Sequence, residues 1–539
     1  MSVNANVIRE RRGQWMALVA AFLGWMFDGF EIGLFPLAGP NALDDLLRNE
    51  IALNPAVKDA WFGVLMSVFL IGAATGGVLF GWFGDRVGRV RAMSLSILAY
   101  AVFTGLCGFA SEAWQIAVLR FLASLGMGGE WALGVALVTE LWPDRSRVFL
   151  AAVVGAAANV GMLLVGLLSL VLVNFLQGAG DVLRSIGLSE DVVATLLNGD
   201  GWRLLMIAGT LPALLVLFVR LFVPESHRWE SERDQGATSH WATRDLLGVL
   251  VGAIGASAVV AMWSPVFEQL VGASAEEQGG PLVLLATAKT ARLVGTALGL
   301  TMALAGYSFP VVRYLGRAER AHRLAPGDAD RYIRRMFLGS ALAGVALLGT
   351  LGSLQWAPKW AIALANLLPA ENGPYHAKEY TQIASATGAI VGTILAAALG
   401  GLIGRRVTYA MLCVASFISL IYMYQANDAY GTKLLISVFV AGGLTAAFYG
   451  WFPLYLPELF PTSIRATSQG FAYNFGRVLS AIGSLQTANL TAYFAQGVAQ
   501  DRIEIDAFPN AGATLAGIYL VGVVLIWLGP ETKGQPLPP

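Results

Sequence analysis

The sequence predicts an all-α membrane protein, two pseudo-symmetric six-helix bundles with an inserted pair of transmembrane helices between them, about fourteen spans in total. Three observations lead there. Hydrophobic residues make up 56% of the 539-residue chain and charged residues only 13%, with mean hydropathy +0.63. A soluble protein carries roughly a quarter of its residues charged, so lipid rather than water must cover this surface. The apolar residues also gather in runs long enough to cross a bilayer, and a set of short motifs occurs twice.

In chain order, the runs fall near 15–39, 61–82, 92–110, 114–142, 148–177 and 202–223, then 246–270 and 281–312, then 334–358, 377–403, 407–425, 432–456, 467–495 and 512–529. A backbone in hydrocarbon must satisfy its own hydrogen bonds, so each run is read as a helix. Glycine-rich faces suit their close packing. The first run is long enough to span and carries Asp28 and Glu31, so it reads as a retained helix and not a cleavable signal. With both termini in the cytoplasm, most of the 35 Lys and Arg fall in cytoplasmic loops, as the positive-inside rule requires. Lys+Arg and Asp+Glu both number 35, so no net charge points to nucleic acid. Cys107 and Cys413 stand alone in apolar stretches, which supports neither a disulfide framework nor a thiolate metal site.

The motif pairs set the domain division. ELWPDRSR, Glu140–Arg147, recurs as ELFPTSIR, Glu458–Arg465, with Glu, Leu, Pro and the final Arg in register. GDRVGR, Gly84–Arg89, has a reduced counterpart in GRR, Gly404–Arg406, and VPES, Val223–Ser226, is echoed by GPET, Gly529–Thr532. Each pair occupies equivalent loops of a six-helix unit. The excess length lies between the copies, which gives 1–230 as an N-terminal half, 231–333 as a central insert with two extra spans and a basic loop, and 334–539 as a C-terminal half.

On these motifs the chain resembles the major facilitator superfamily. GWFGDRVGR, Gly81–Arg89, looks like that superfamily's loop between helices two and three, and RFLASLGMGGEW, Arg120–Trp131, like its fourth-helix motif. VPESHRW and GPETKG are similar to the sequences after helices six and twelve of sugar and organic-acid porters. The resemblance implies secondary active transport of a small molecule by alternating access, without cofactor or catalytic residues, by a monomer in a plasma or bacterial inner membrane. FDGFE around Asp28, together with GMGGEW and YNFGRV, resembles the organic-acid (monocarboxylate and sialate) proton symporters, which implies symport of a small carboxylate with protons. The PES and PET motifs keep a sugar or other polyol porter as the alternative. Against it, helix seven offers only Gln355 where sugar porters resemble one another in a Gln and Asn cluster.

The loop motifs have a physical reading of their own. Asp85, Arg86 and Arg89 place fixed charges at the cytoplasmic end, at the level of Glu140, Arg147, Glu225, Arg405, Glu458 and Arg465. Ion pairs between the halves at this level would form a cytoplasmic gate, closed in one conformation and broken in the other. The alternative is that these arginines only follow the positive-inside rule.

Charges within spans are more telling, because each costs about 2.5–3.5 kcal/mol to place in hydrocarbon. Asp28 and Glu31 lie three residues apart on one helix face, and two carboxylates so close favour binding a proton. They are read as a proton-coupling pair, or else as a pair facing a solvated vestibule. Arg120, which resembles the superfamily's fourth-helix arginine linked to proton movement, and Glu130 join them as coupling candidates, with a structural ion pair as the alternative. Farther on, Gln469, Tyr473 and Arg477 form a stripe at i, i+4 and i+8, with Asn474 beside it. A planar, permanently charged guanidinium suits a carboxylate, so these four are the substrate-binding candidates; the alternative for Arg477 is a helix–helix salt bridge. The spans hold no nucleophile with its base and no metal-ligand set, so nothing points to an enzyme.

Overall fold

A computed structural model of the chain describes residues 2–53, 56–263, 267, 281–369, 376–499 and 502–538. Among them every regular element is helical. The principal helices up to the middle of the chain are α1 (Ser2–Leu46), α2 (Ala56–Val87), α3 (Arg89–Cys107), α4 (Ala113–Leu141), α5 (Arg147–Leu170), α6 (Glu190–Ala208) and α7 (Ala213–Phe222). Next come α8 (Leu246–Met262) and α9 (Pro281–Arg320). The remainder comprises α10 (Asp328–Gly352), α11 (Ala377–Ile403), α12 (Arg405–Gln425), α13 (Thr432–Ala446), α14 (Phe448–Tyr455), α15 (Arg465–Phe494), α16 (Phe508–Ala516) and α17 (Ile518–Leu525). Most of the expected continuation of α8 toward 270 lies outside the described residues.

Twelve helices among the described residues are long and apolar enough to cross a membrane, against an expectation of about fourteen. They include both members of the central pair, Thr243–Met262 and Thr290–Arg320. The two expected spans that fall short do so for different reasons. At 202–223 the α-helical hydrogen bonding gives way to i→i−3 turns over 209–212, where Pro212 has no N–H to give, and the run divides between α6 and α7. α15 is continuous over 30 residues, but Gln469, Asn474 and Arg477 make it polar, and all three are buried in protein. The acidic segment before 202 forms helix Leu172–Ser185 and the first part of α6, which breaks at Gly199, Asp200 and Gly201, all with positive φ.

Two seams join the segments that carry the motif copies: α2 packs along α15, and α5 along α11. Close approach depends on glycine. A Cβ on Gly76 of α2 would lie 1.8 Å from the Leu125 carbonyl oxygen of α4, and one on Gly470 of α15 would lie 2.0 Å from the Gly77 carbonyl oxygen of α2. Helices this near exchange dispersion along their backbones, which is how packing is won where lipid supplies no hydrophobic drive. Gly76→Leu should therefore cost about 3 kcal/mol, the upper range for overpacking. The thermal unfolding midpoint in detergent would fall, and a midpoint equal to the parent's would mean that α2 and α4 are not so close.

Candidate functional site

Polar residues collect at two levels of the bundle. At the basic end, Arg89 opens α3 directly after Gly88, whose φ of 116° provides the turn out of α2. Its wholly buried guanidinium donates to Asp85 Oδ1 at 2.6 Å, to the Gly84 carbonyl at 2.7 Å, and to both Glu140 oxygens at 3.1 and 3.3 Å. Arg405 repeats this in the second motif copy, donating to the Gly400 carbonyl at 2.7 Å and to both Glu458 oxygens at 2.7 and 3.0 Å. Ser226 donates its hydroxyl to Glu140 as Thr532 does to Glu458. Glu225 accepts the Arg89 N–H at 2.9 Å, and Glu531 those of Arg405 and Arg406 at 3.0 and 3.1 Å, so each carboxylate caps a helix start. Burial opposes ionisation of Glu531, but its N–H bonds from Arg405, Arg406 and Lys533 outweigh that and hold the carboxyl below its usual range. The more deeply buried Glu225 is raised instead.

The two copies also clasp each other. Arg465 donates to Glu140 at 2.9 Å and Arg147 to Glu458 at 2.6 Å, each crossing from one copy to the other. Arg89 reaches the Thr462 carbonyl at 2.7 Å. Asp85 accepts from Ala466 N, Thr467 N and Thr467 Oγ1 at 3.2, 2.8 and 2.6 Å, a carboxylate set on the N-terminus of α15. The position matching Asp85 in the second copy is Gly401, where the atoms nearest to a Cβ would be those of the Val148 side chain near the start of α5. The C-terminal tail closes over both copies: Arg147 donates to the Gln535 carbonyl at 2.7 Å and Arg465 to that of Pro538 at 2.8 Å. Arg86 stands apart, lying over the Trp82 ring and donating to Thr243 Oγ1 at 2.7 Å.

Deep in the bundle the pattern reverses. Asp28, Glu31, Arg120, Glu130 and Arg477 are buried, and among the described residues no ion pair within 4 Å joins any of them. The Asp28 and Glu130 carboxyls meet only each other, and Glu31 Oε2, Arg120 Nε, Arg477 Nη1 and both amide atoms of Gln469 have no hydrogen-bond partner among the described residues. Glu130 lies over Gly24, where a Cβ would be 1.5 Å from its Oε1, one turn of α1 before Asp28. The charged neighbours of Asp28 are Glu130, Arg477 and Glu31, whereas Glu31 turns toward Arg120 and Thr104. The shared face of Asp28 and Glu31 thus serves two environments. Arg120 rests on the Phe35 ring at 3.6 Å and the Phe69 ring at 4.9 Å. Tyr473 stacks on Trp131 with centroids 4.0 Å apart, and Arg477 lies 5.6 Å from the Tyr473 ring. Asn474 spends its amide N–H groups on the Gly128 and Gly470 carbonyls at 2.9 and 3.0 Å, tying α15 to α4, with its Oδ1 unpartnered.

Residues 16–249 and 367–537 match the profile of the family described as sugar (and other) transporters. The chain belongs to that family. The transporter is 27% identical over 489 residues to the cis,cis-muconate transport protein of Acinetobacter baylyi, covering 89% of this chain and 88% of that one. It is 28% identical over 220 residues to the sialic acid transporter NanX of Escherichia coli, covering 41% and 46%. In fold it is similar to the major facilitator superfamily proton:xylose symporter XylE, with a TM-score of 0.63 at 17% identity over 97% of this chain and 98% of that one. It is thus an integral membrane transporter of that superfamily, resembling its organic-acid members, and not an enzyme.

Sequence reasoning missed Ser226, Thr532, Thr462 and Thr467 at the basic end and, deeper in the transporter, Thr104, Trp131 and Tyr100, whose buried hydroxyl has Glu130, Asp28 and Glu31 as charged neighbours. Ser226 and Thr532 stand at matching places in the VPES and GPET motifs, a signal that was available. Replacing Asp85 by Asn keeps its shape but removes the charge facing Arg89 and α15. Ser468, fully buried one turn into α15, gives a reporter: Ser468→Cys should react several-fold faster with a water-soluble maleimide in the Asp85→Asn background. An unchanged rate would mean that the Asp85 bonds do not hold this end shut.

Proposed function

We propose that the protein is a proton-coupled symporter of a small carboxylate, working by alternating access between two six-helix halves, 1–230 and 334–539. The observation that carries this reading is the buried cluster of Asp28, Glu130 and Arg477, drawn from α1, α4 and α15 and lacking any internal ion pair. Two facing carboxyls are held together at least cost with a proton between them, and a nearby guanidinium with a free N–H is a receptor for a third, incoming carboxylate. Asp28 takes the proton, with Glu130, Glu31 and Arg120 completing its path. Arg477, Gln469 and Tyr473 bind the substrate, and Asn474 contributes its free oxygen. The names of the muconate and sialic acid relatives support a carboxylate substrate; a polyol remains the alternative that the likeness to a xylose symporter favours.

The residues clasped at the basic end are the cytoplasmic gate in its closed state, namely Asp85, Arg89, Glu140, Arg147, Glu225, Arg405, Glu458 and Arg465, with Arg86 at its margin. Both termini lie on that side, as Arg11 and Arg12 before the first span favour. The central part, 231–333, is an inserted pair of spans, and the 202–223 run shared by α6 and α7, together with α15, completes a set of fourteen. Supporting this, the family match breaks off between 249 and 367.

Uptake into proteoliposomes tests the reading. Asp28→Asn imitates the protonated acid, so counter-exchange should persist while accumulation driven by a pH gradient falls at least ten-fold. Arg477→Lys keeps the charge and loses the two-pronged geometry, and should raise the carboxylate KM about ten-fold. Wild-type pH dependence in Asp28→Asn, or uptake of neutral sugars alone, would overturn it.

A further inference from the structure

The segment just before α8 touches both motif copies at once. Thr243 Oγ1 accepts from Arg86 Nη1 at 2.7 Å, in the last turn of α2, while Trp241 Nε1 donates to the Ser463 carbonyl at 3.3 Å, on the segment before α15. The segment is itself held rigidly by α9. Arg317 pairs with the wholly buried Asp245 and donates Nε to the His240 carbonyl at 2.6 Å. Tyr314 packs its ring on Trp241 at 4.4 Å and donates its hydroxyl to the Ala237 carbonyl at 3.3 Å. Asp245 also accepts the Ala242 N–H at 3.1 Å.

Farther along, α9 is fixed to α2 by the buried pair of hydroxyls Tyr307 and Thr75, 2.8 Å apart. α8 lies along α2 and touches α15 less, and α9 makes lesser contacts with α10 and α15. The pair therefore rides on α2 and reaches across the α2–α15 seam by lesser contacts, among them the hydrogen bond of Trp241 to Ser463. Neither Trp241 nor Thr243 belongs to the repeated motifs, and neither carries a charge that a gate reading would look for.

We propose that the central helix pair is a brace for the cytoplasmic gate, in which Trp241 and Thr243 are positioning residues that hold Arg86 and the 460–465 loop together while that end is closed. The proposal rests on the alternating-access reading above. Opening the end separates Arg86 from Ser463, and the rigid Trp241–Thr243 segment must then release one of them. The pair thereby adds to the closed state a term that lies outside the pseudo-symmetric charge network.

The test uses the full-length protein in inside-out vesicles with Ser468→Cys as reporter and a membrane-impermeant maleimide as probe. Trp241→Phe with Thr243→Val removes both bonds while keeping the ring on Tyr314 and the side-chain shape at 243. Its labelling rate should rise about five-fold, the scale of one or two lost hydrogen bonds, with the thermal unfolding midpoint retained. Arg317→Gln, which touches neither motif copy, should raise the rate in the same direction by loosening the segment, and it decides the matter alone if the double variant does not fold. Asp85→Asn runs alongside. If it raises labelling and the brace variants match the parent, the brace is overturned and the gate stands; if Asp85→Asn also matches the parent, the gate reading falls and takes the brace with it.

Discussion

A guanidinium withdrawn from water needs an acceptor for nearly every N–H, and at Arg89 and Arg405 that demand organises the basic end of the protein. Each finds part of its set within its own motif copy, as a backbone carbonyl and a glutamate. Each glutamate is then shared with an arginine from the opposite copy, Glu140 with Arg465 and Glu458 with Arg147. For Arg89 the set is complete only while the two copies are in contact, because one N–H goes to the Thr462 carbonyl; Arg405 finds its acceptors within its own copy, and there the glutamate carries the link. Desolvation nearly cancels attraction in a buried ion pair. Separation exchanges these bonds for water at small net cost, so two arrangements of similar free energy can both be populated.

The middle of the bundle obeys the opposite rule. Charges there are buried without an ion pair among the described residues, a costly state while water is kept out. What does relieve it is a proton on a carboxyl and an anion on a guanidinium. On the proposed reading the stable network and the unsatisfied cluster divide the work of a transporter, one setting which side is shut and the other making that choice depend on what is bound.

Legibility followed charge and repetition. Glu140, Glu458, Arg147 and Arg465 could be paired from sequence because the copies share register, and the reduced GRR motif sufficed to mark Arg405. Their neutral partners could not be found that way. A serine, a threonine or the carbonyls of Thr462, Gln535 and Pro538 leave no charge pattern. Arg86 looked like its neighbours in the motif, yet its side chain leaves α2 toward Thr243, a direction set by tertiary packing alone. Asp28 and Glu31 were rightly placed on one face, but the longer glutamate turns to Arg120 while the shorter aspartate meets Glu130. Trp131 and Tyr100 read as apolar core because an aromatic residue in a span gives no other signal. α15 was legible as the run 467–495, although the buried Gln469, Asn474 and Arg477 leave it less apolar than the other spans.

Gly401 gives the two seams unequal mechanics. Where Asp85 grips the first turn of α15 with three hydrogen bonds, its counterpart offers α5 only a van der Waals surface at Val148. Parting the α5–α11 seam at this end breaks no bond of that kind, whereas parting the α2–α15 seam must undo a charged helix cap. On the alternating-access reading proposed above, the halves would not swing symmetrically: they would tip like a door, loosening first along the glycine side and turning on the aspartate side, so that internal symmetry of sequence would yield a directional motion.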